Sequence, residues 1–444
     1  MAEIPEGLTG RFARFASQTR DADIPAPIYE HAKVALLDWY AVTIAGKDDP
    51  LVIKLIRFAD LMGGHEQATI LGQGMKKNVI QATLINGAAS HALDYDDTLA
   101  SSLWHPSVTL FPSLLAVAEW KGKNGAELLA AYMIGFKAGT AFGTYAGMSH
   151  YLAGWHGTST MGHLASASAC SHLLGLDKEQ TTHALGIAAT QASGLKRVFG
   201  TMCKPFHAGR CSQAGLTAAL LASDGFTSAE DILEGSQGFF DVFQADKNEE
   251  PLETLGQTWE IERLAQKYHA SCHGTHSAIE AASRIVRHEG LEVKDIKSIT
   301  VKCSQVALSA AHKEDPRTGL AGKFSVAYCV ANALLRGDTG MRAFTDERVN
   351  DPEVRELMGK ISVVPDGKKV AMEADVEIET TGGKAHCASC DVFQEVPGLE
   401  VKREKIRAKF EDLCGQVLGD RKTEQVRDAI LNLDKLKDIQ PLFV

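Results

Sequence analysis

Long apolar runs are missing from this chain of 444 residues, and none reaches the roughly 20 residues that a membrane-spanning helix needs. The opening MAEIPEGLTGRFARF lacks the apolar core of a signal peptide. Together these absences predict a cytoplasmic protein with no membrane partner. Positive charge is also in short supply: 46 Lys and Arg against 56 Asp and Glu leave a formal charge of −10. Such a surface repels nucleic acid, so no nucleic-acid partner is expected, and any anionic ligand must find its positive contacts locally. Several catalytic signatures are absent as well. There is no H-E-x-x-H, no G-x-x-x-x-G-K-[ST], no strand-anchored G-x-G-x-x-G and no G-x-S-x-G. Zinc hydrolysis, nucleotide cofactors and an activated serine therefore have no support. The nine cysteines are odd in number and scattered, which suits reduced, buried thiols rather than a disulfide framework. Cys387 and Cys390 form a lone C-x-x-C with no second pair nearby, so neither a metal nor a redox role is expected.

What is present is a chain long enough for at least two structural units, with an ordinary 45% hydrophobic and 23% charged residues. Apolar residues recur three and four apart from Pro25 to Met62, again from Val79, and through two Ala- and Gly-rich stretches between Ser107 and Gly143. This pattern predicts buried, closely packed helices. A short strand is expected at Ala68 to Leu71. Asp177 reads as a helix cap. Leu195 to Gly209, broken by Gly and Pro, reads as a loop ahead of an Ala-rich helix. Near Lys267 the character changes. IKSITVKC and KISVVPD alternate as strands do, and KKVAMEADVEIETTGGKAHCA reads as a hairpin around Thr381-Gly382-Gly383. Two charged amphipathic helices close the chain. The expected fold is mainly α: a large all-helical domain from residues 1–266 and 398–444, with a smaller α+β lid domain at 267–397.

The densest chemistry lies between His91 and His105, in HALDYDDTLASSLWH. Asp94, Asp96 and Asp97 crowd within four residues, and clustered carboxylates repel unless they bind cations, accept hydrogen bonds or stay hydrated. Eleven of the sixteen histidines fall between His91 and His276. That concentration points to proton transfer, since imidazole titrates nearest neutrality. His269, Cys272, His273 and His276 are the nearest approach to a metal set, but without a helical i, i+4 pair and adjacent Glu no metal is expected.

Five ordered motifs, HALDYDDT, GWHGTSTMGHLASASA, CKPFHAG, KYHASCHGTH and FSVAYCVANALLRGD, make the chain resemble the MmgE/PrpD family over nearly its full length. That family includes 2-methylcitrate dehydratase, cis-aconitate decarboxylase and iminodisuccinate epimerase. The resemblance implies a homodimer that works without cofactor or metal on a small carboxylate substrate in an interdomain cleft. It implies a lyase that removes water or carbon dioxide by acid/base chemistry. An epimerase in the same fold and a non-catalytic carboxylate-binding protein are the alternatives. Carried over position by position, the implied catalytic residues are Asp94, His105, His156, Lys267 and Tyr328, and Thr98 and Lys204 bind substrate. Cys272 stands where the decarboxylase has histidine, with His273 beside it, and Gly157-Thr158 replaces the usual Pro-Thr. Tyr145, with His150, Tyr151 and Trp155, adds aromatic surface that suits a smaller or partly apolar substrate. On physical grounds the lysines would meet substrate carboxylates, Asp94 would orient an imidazole, and Thr98 would hold a substrate oxygen. Each residue also has a plain structural use: Asp94 as a helix cap, the histidines as packed rings, the lysines as surface charges and Tyr328 as a core phenol.

Overall fold

A computed structural model describes residues 6–311, 313–370 and 372–444. The first half is helical: α1 (Leu8–Gln18), α2 (Ala26–Gly46), α3 (Pro50–Met62), α4 (Val79–Ala92), α5 (Pro106–Lys121), α6 (Gly125–Leu152), α7 (Gly157–Leu174), α8 (Lys178–Ala189) and α9 (Cys203–Ser223). A two-stranded ribbon, β1 (Ala68–Ile70) with β2 (Met75–Lys77), interrupts them where one strand was expected. The helix starts follow local chemistry. Asp49 accepts from the Leu51 amide ahead of α3, with Pro50 at the first helical position. Asn124 with Glu127, and Asp177 with Gln180, form reciprocal capping boxes for α6 and α8.

Helices α4, α5 and α7 are buried almost all the way round, which is why their sequences show no polar stripe. Small residues let them approach closely. A Cβ on Gly87 of α4 would lie 2.6 Å from the Gly209 Cα of α9, and one on Gly215 would meet Ala167 N of α7 at the same distance. The expected loop at Leu195 to Gly209 is therefore half wrong. Helix α9 begins at Cys203, so CKPFHAG forms its first two turns. Pro205 falls in the first turn, where an amide donor has no partner in any case, and Gly209 serves the contact with α4 rather than a break. Helix α6 runs on through the aromatic stretch to Leu152, kinked at Gly147, whose φ of 68° is left-handed.

Beyond residue 267 a four-stranded sheet is built in the order β4-β3-β5-β6 from β3 (Ile296–Cys303), β4 (Ile361–Pro365), β5 (Ala374–Thr380) and β6 (Ala385–Cys390). β3 runs parallel to β4 and antiparallel to β5, with Val301 opposite both Val363 and Val376. The β5–β6 hairpin turns at Thr381 to Gly383 as the sequence predicts. The helix His276–Glu289 packs on β5 and β6, and the helix Val326–Arg336 packs on that helix in turn. The chain then returns, and the helix Leu399–Leu418 lies along α2. The fold is thus mainly α with a smaller α+β part. All nine cysteines are free thiols, Cys387 exposed and Cys390 buried. Among the described residues no helix is long and apolar enough to cross a membrane.

Candidate active site

Helix α4 runs out at Ala92, and the chain turns sharply at Asp94, whose φ of 50° is left-handed. Aspartate tolerates that conformation better than most side chains, and here the turn sends the carboxylate into the protein rather than out to water. Two buried lysines meet it. Lys267 Nζ lies 2.6 Å from Asp94 Oδ1 and 3.0 Å from its carbonyl oxygen, and Lys204 Nζ lies 2.8 Å from the same Oδ1. Lys204 comes from the first turn of α9. Lys267 is aligned by a short antiparallel bridge in which Thr98 and Ala265 exchange backbone hydrogen bonds of 2.9 and 3.0 Å. Asp94 Oδ2 has no partner among the described residues.

Two residues on, Asp96 holds a pair of imidazoles. Its Oδ1 is 2.8 Å from His91 Nδ1, and its Oδ2 is 2.7 Å from His105 Nδ1. The sequence-based assignment is corrected here: Asp94 is committed to the lysines, and Asp96 orients the imidazoles. Thr98 Oγ1 sits between rings, 2.8 Å from His273 Nδ1 and 3.3 Å from His105 Nδ1. His105 precedes α5 and His156 precedes α7, each at the capping position without using its side chain as a cap. His156 Nδ1 is 3.1 Å from His207 Nδ1.

Asp94, Thr98, His105, His156, Lys204, Lys267, Cys272 and His273 line one cavity of about 40 Å³, together with Leu103, Tyr151, Phe199, Ala310 and Met372. That volume suits a water or two and no polycarboxylate, so a substrate requires the walls to part. The starts of α5, α7 and α9 all meet here, and their dipoles add positive potential to the two ammonium groups.

Electrostatics sort these groups. Burial pushes the Asp94 carboxyl up, but Lys204 and Lys267 outweigh it and hold Asp94 well below the usual carboxylate range. Burial is likewise opposed at Asp96 by His91 and His105, and that carboxyl too stays well below its usual value. Burial works against the Lys267 ammonium, yet Asp94 and Asp96 raise its pKa. The imidazoles go the other way. Burial brings His105 down to about 4 against the pull of Asp96, and burial with neighbouring positive groups holds His156 and His273 well below their usual value. Neutral imidazoles beside fixed ammonium ions are the result, a combination fitted to binding anions and accepting protons. Cys272 is pushed up by burial and by Asp94, so it is a thiol and not a thiolate nucleophile.

Two expected residues lie elsewhere. The Tyr328 hydroxyl donates to the Ala343 carbonyl, its ring packs against Phe344, and it does not line the cavity. Tyr145 packs against Phe240 at 4.6 Å and does not line it either. His163, bonded to the Ser159 carbonyl at 2.7 Å, is a core histidine of α7. Sequence reasoning missed Asp96, Phe199 and Met372. Asp96 had a signal, five residues after His91, but nothing in the order DYDD separates it from Asp97. The structure does separate them. Burial and the neighbouring Asp38 push Asp97 up to about 8, and it is bound to Ser107 rather than to a cation. His91, Asp96 and His105 bring their ligand atoms within 4.8 Å of one another, a spacing a cation can use. The Nδ1 of each ring lies within 2.8 Å of an Asp96 oxygen, while His91 Nε2 and Asp96 Oδ2 have no hydrogen-bond partner among the described residues.

Comparison with known proteins agrees with this architecture. Residues 10–251 match the MmgE/PrpD N-terminal domain and residues 269–435 the MmgE/PrpD C-terminal domain. The cis-aconitate decarboxylase of Aspergillus terreus is 29% identical over 472 residues, covering 98% of this chain and 95% of its own. The mouse cis-aconitate decarboxylase is 25% identical, covering 99% and 92%. The mitochondrial 2-methylcitrate dehydratase of Yarrowia lipolytica is 25% identical over 76% of this chain and 68% of its own.

Proposed function

From the premise that the chain belongs to the MmgE/PrpD family, we propose that it is a lyase that removes carbon dioxide or water from a small di- or tricarboxylate, without cofactor or metal. The observation that carries the reading is the cavity itself, where two lysines share one carboxylate beside imidazoles aligned by another. The near full-length likeness to cis-aconitate decarboxylases makes decarboxylation of an unsaturated tricarboxylate the first reaction to test.

The chemistry follows from the groups available. An entering carboxylate competes with Asp94 for the Lys204 and Lys267 ammonium ions, whose hydrogen bonds among the described residues go to Asp94. Its charge also favours protonation of the imidazoles that burial otherwise keeps neutral. In decarboxylation, an imidazolium at His105 or His156 gives a proton to the alkene carbon. The bond to the departing carboxylate breaks, its electron pair forms the shifted double bond, and carbon dioxide leaves. Each turnover consumes one proton. In dehydration a neutral imidazole instead takes the proton next to a carboxylate and, as imidazolium, it or its neighbour gives a proton to the departing hydroxide, which leaves as water with no net proton change. Either way the developing charge is met by donors fixed in place beforehand.

Residues 267–397 act in this reading as a lid whose Lys267, Cys272 and His273 join the helical part at the cavity, so closure and assembly of the site are one event. A homodimer is carried by the family resemblance and forms part of the same proposal. The test is proton NMR in deuterium oxide with cis-aconitate, 2-methylcitrate and citrate. A new alkene product supports the lyase. Deuterium incorporation with inverted stereochemistry and no new alkene points to an epimerase, and tight binding with no exchange at carbon points to a binding protein.

A further inference from the structure

The chain around Asp94 is gripped through its backbone as well as through its side chain. Three consecutive carbonyls, those of Leu93, Asp94 and Tyr95, each accept from the ammonium of a different buried lysine: Lys323, Lys267 and Lys409 in turn. Of the three, only Lys267 lines the cavity. Lys409 stands 314 residues further along the chain than Tyr95, on the helix Leu399–Leu418, and is 8% exposed. Its Nζ lies 2.6 Å from the Tyr95 carbonyl oxygen, 3.0 Å from the Lys267 carbonyl oxygen and 2.7 Å from Asp38 Oδ1 on α2. The same Nζ is 3.7 Å from the centroid of the Tyr95 ring.

Those two carbonyls belong to the two halves of one ion pair. Tyr95 separates Asp94 from Asp96, and Lys267 Nζ is the cation 2.6 Å from Asp94 Oδ1. Asp94, with its φ of 50°, is in a conformation that an L-residue gives up unless its surroundings hold it. A lysine present only to neutralise Asp38 has no need of either carbonyl. We propose that Lys409 is a positioning residue: its one ammonium ties the backbone of the acidic turn to the backbone of Lys267 and so sets the geometry of the Asp94–Lys267 pair at the cavity. Its effect on turnover rests on the lyase reading, whereas the tether rests on the contacts alone. With the tether cut, the Tyr95 peptide and the Lys267 backbone lose their common partner, and a misplacement of about 1 Å at a reacting centre costs about 10²-fold in rate.

The test separates this tether from the ion pair with Asp38, using the full-length protein and three variants. Lys409→Met cuts the tether and strands Asp38 in the interior, so its melting temperature should fall for that reason as well. Asp38→Asn keeps both carbonyl bonds. The double variant Asp38→Asn/Lys409→Met cuts the tether without stranding a carboxylate, and it serves in place of Lys409→Met if that variant does not fold. In substrate-free protein the amides of Thr98 and Ala265, which donate to each other's carbonyls at 2.9 and 3.0 Å, report on the same two segments. They are expected to exchange with deuterium about tenfold faster in both Lys409 variants and at the wild-type rate in Asp38→Asn, because native-state exchange follows local opening. In kcat, both Lys409 variants are expected to lose about 10- to 10²-fold and Asp38→Asn to stay within about threefold of wild type, even where the double variant melts higher than Lys409→Met. Unchanged exchange in a folded Lys409 variant overturns the tether, and so does a kcat that recovers with the melting temperature in the double variant. A wild-type protein without lyase turnover removes the lyase reading alone, because the exchange measurement needs no turnover.

Discussion

Asp96→Asn is the substitution that asks most of the site. The wild-type carboxylate accepts from His91 Nδ1 at 2.8 Å and lies 2.7 Å from His105 Nδ1, with all three side chains buried. Both rings therefore carry their proton on Nδ1, and Nε2 is left as the basic nitrogen. Asparagine supplies one acceptor and one donor, so one of the two rings must present a lone pair at Nδ1 and move its proton to Nε2. If that ring is His105, the nitrogen needed as a base is blocked. The expected loss in kcat is about 10²- to 10⁴-fold, the range over which a wrong histidine tautomer or a missing acid/base acts. Stability should fall too, because hydrogen bonds to a buried charge are worth about 1.5–3 kcal/mol each and two are altered. The assay pairs steady-state kinetics on whichever carboxylate the wild type turns over with a thermal melt, so that folded protein is what is measured. A kcat within about threefold of wild type, in a folded variant, would refute the assignment of Asp96 as the group that sets the His105 tautomer.

Asp97→Asn, one residue away, should behave differently. With its carboxyl pushed up to about 8, Asp97 is already largely neutral at pH 7, and kcat should stay within about threefold of wild type. Lys267→Met should abolish measurable turnover and lower the melting temperature, since it removes one of two cations from a carboxylate that cannot be rehydrated. Breaking such a buried pair costs about 3–5 kcal/mol, and normal kcat in this variant would exclude the lysine from the reaction. Stability should drop as pH falls from about 6.5 towards 4. His105, His163 and His207 titrate near 4 in the folded chain and near 6.5 unfolded, so the unfolded state binds more protons across that window, each worth up to about 1.4 kcal/mol per pH unit. Asp94 and Asp96, held low, add their loss only at still lower pH, as protonation begins below about 4. Urea titrations at pH 7, 6, 5 and 4.5 check this, and a flat profile contradicts the buried neutral imidazoles.

Helix periods, caps and strand alternation are local properties, and the sequence carried them well. The Asp177 cap, the β5–β6 turn at Thr381 to Gly383 and the shift from helix to strand past Lys267 all follow from a few neighbouring residues. The motif order also located most of the cavity wall, because the side chains that meet there are concentrated in a few polar islands within an apolar chain. Reading failed where meaning depends on a distant partner. Pro205 and Gly209 look like a break until α4 is seen pressed against α9. Tyr328 and Tyr145 carry useful chemistry in principle, but packing against Phe344 and Phe240 turns them away from the cavity.

The acidic island shows the division most clearly. Its composition alone requires that three carboxylates within four residues be neutralised, but not how. Tertiary structure gives Asp94 two lysines from positions 204 and 267, Asp96 two imidazoles, and Asp97 a serine and its own proton. A pKa is set by burial and by charges within a few ångströms, and the two cations at Asp94 come from positions 204 and 267, far along the chain. The chain therefore encodes which groups are available, and the fold decides which of them are charged.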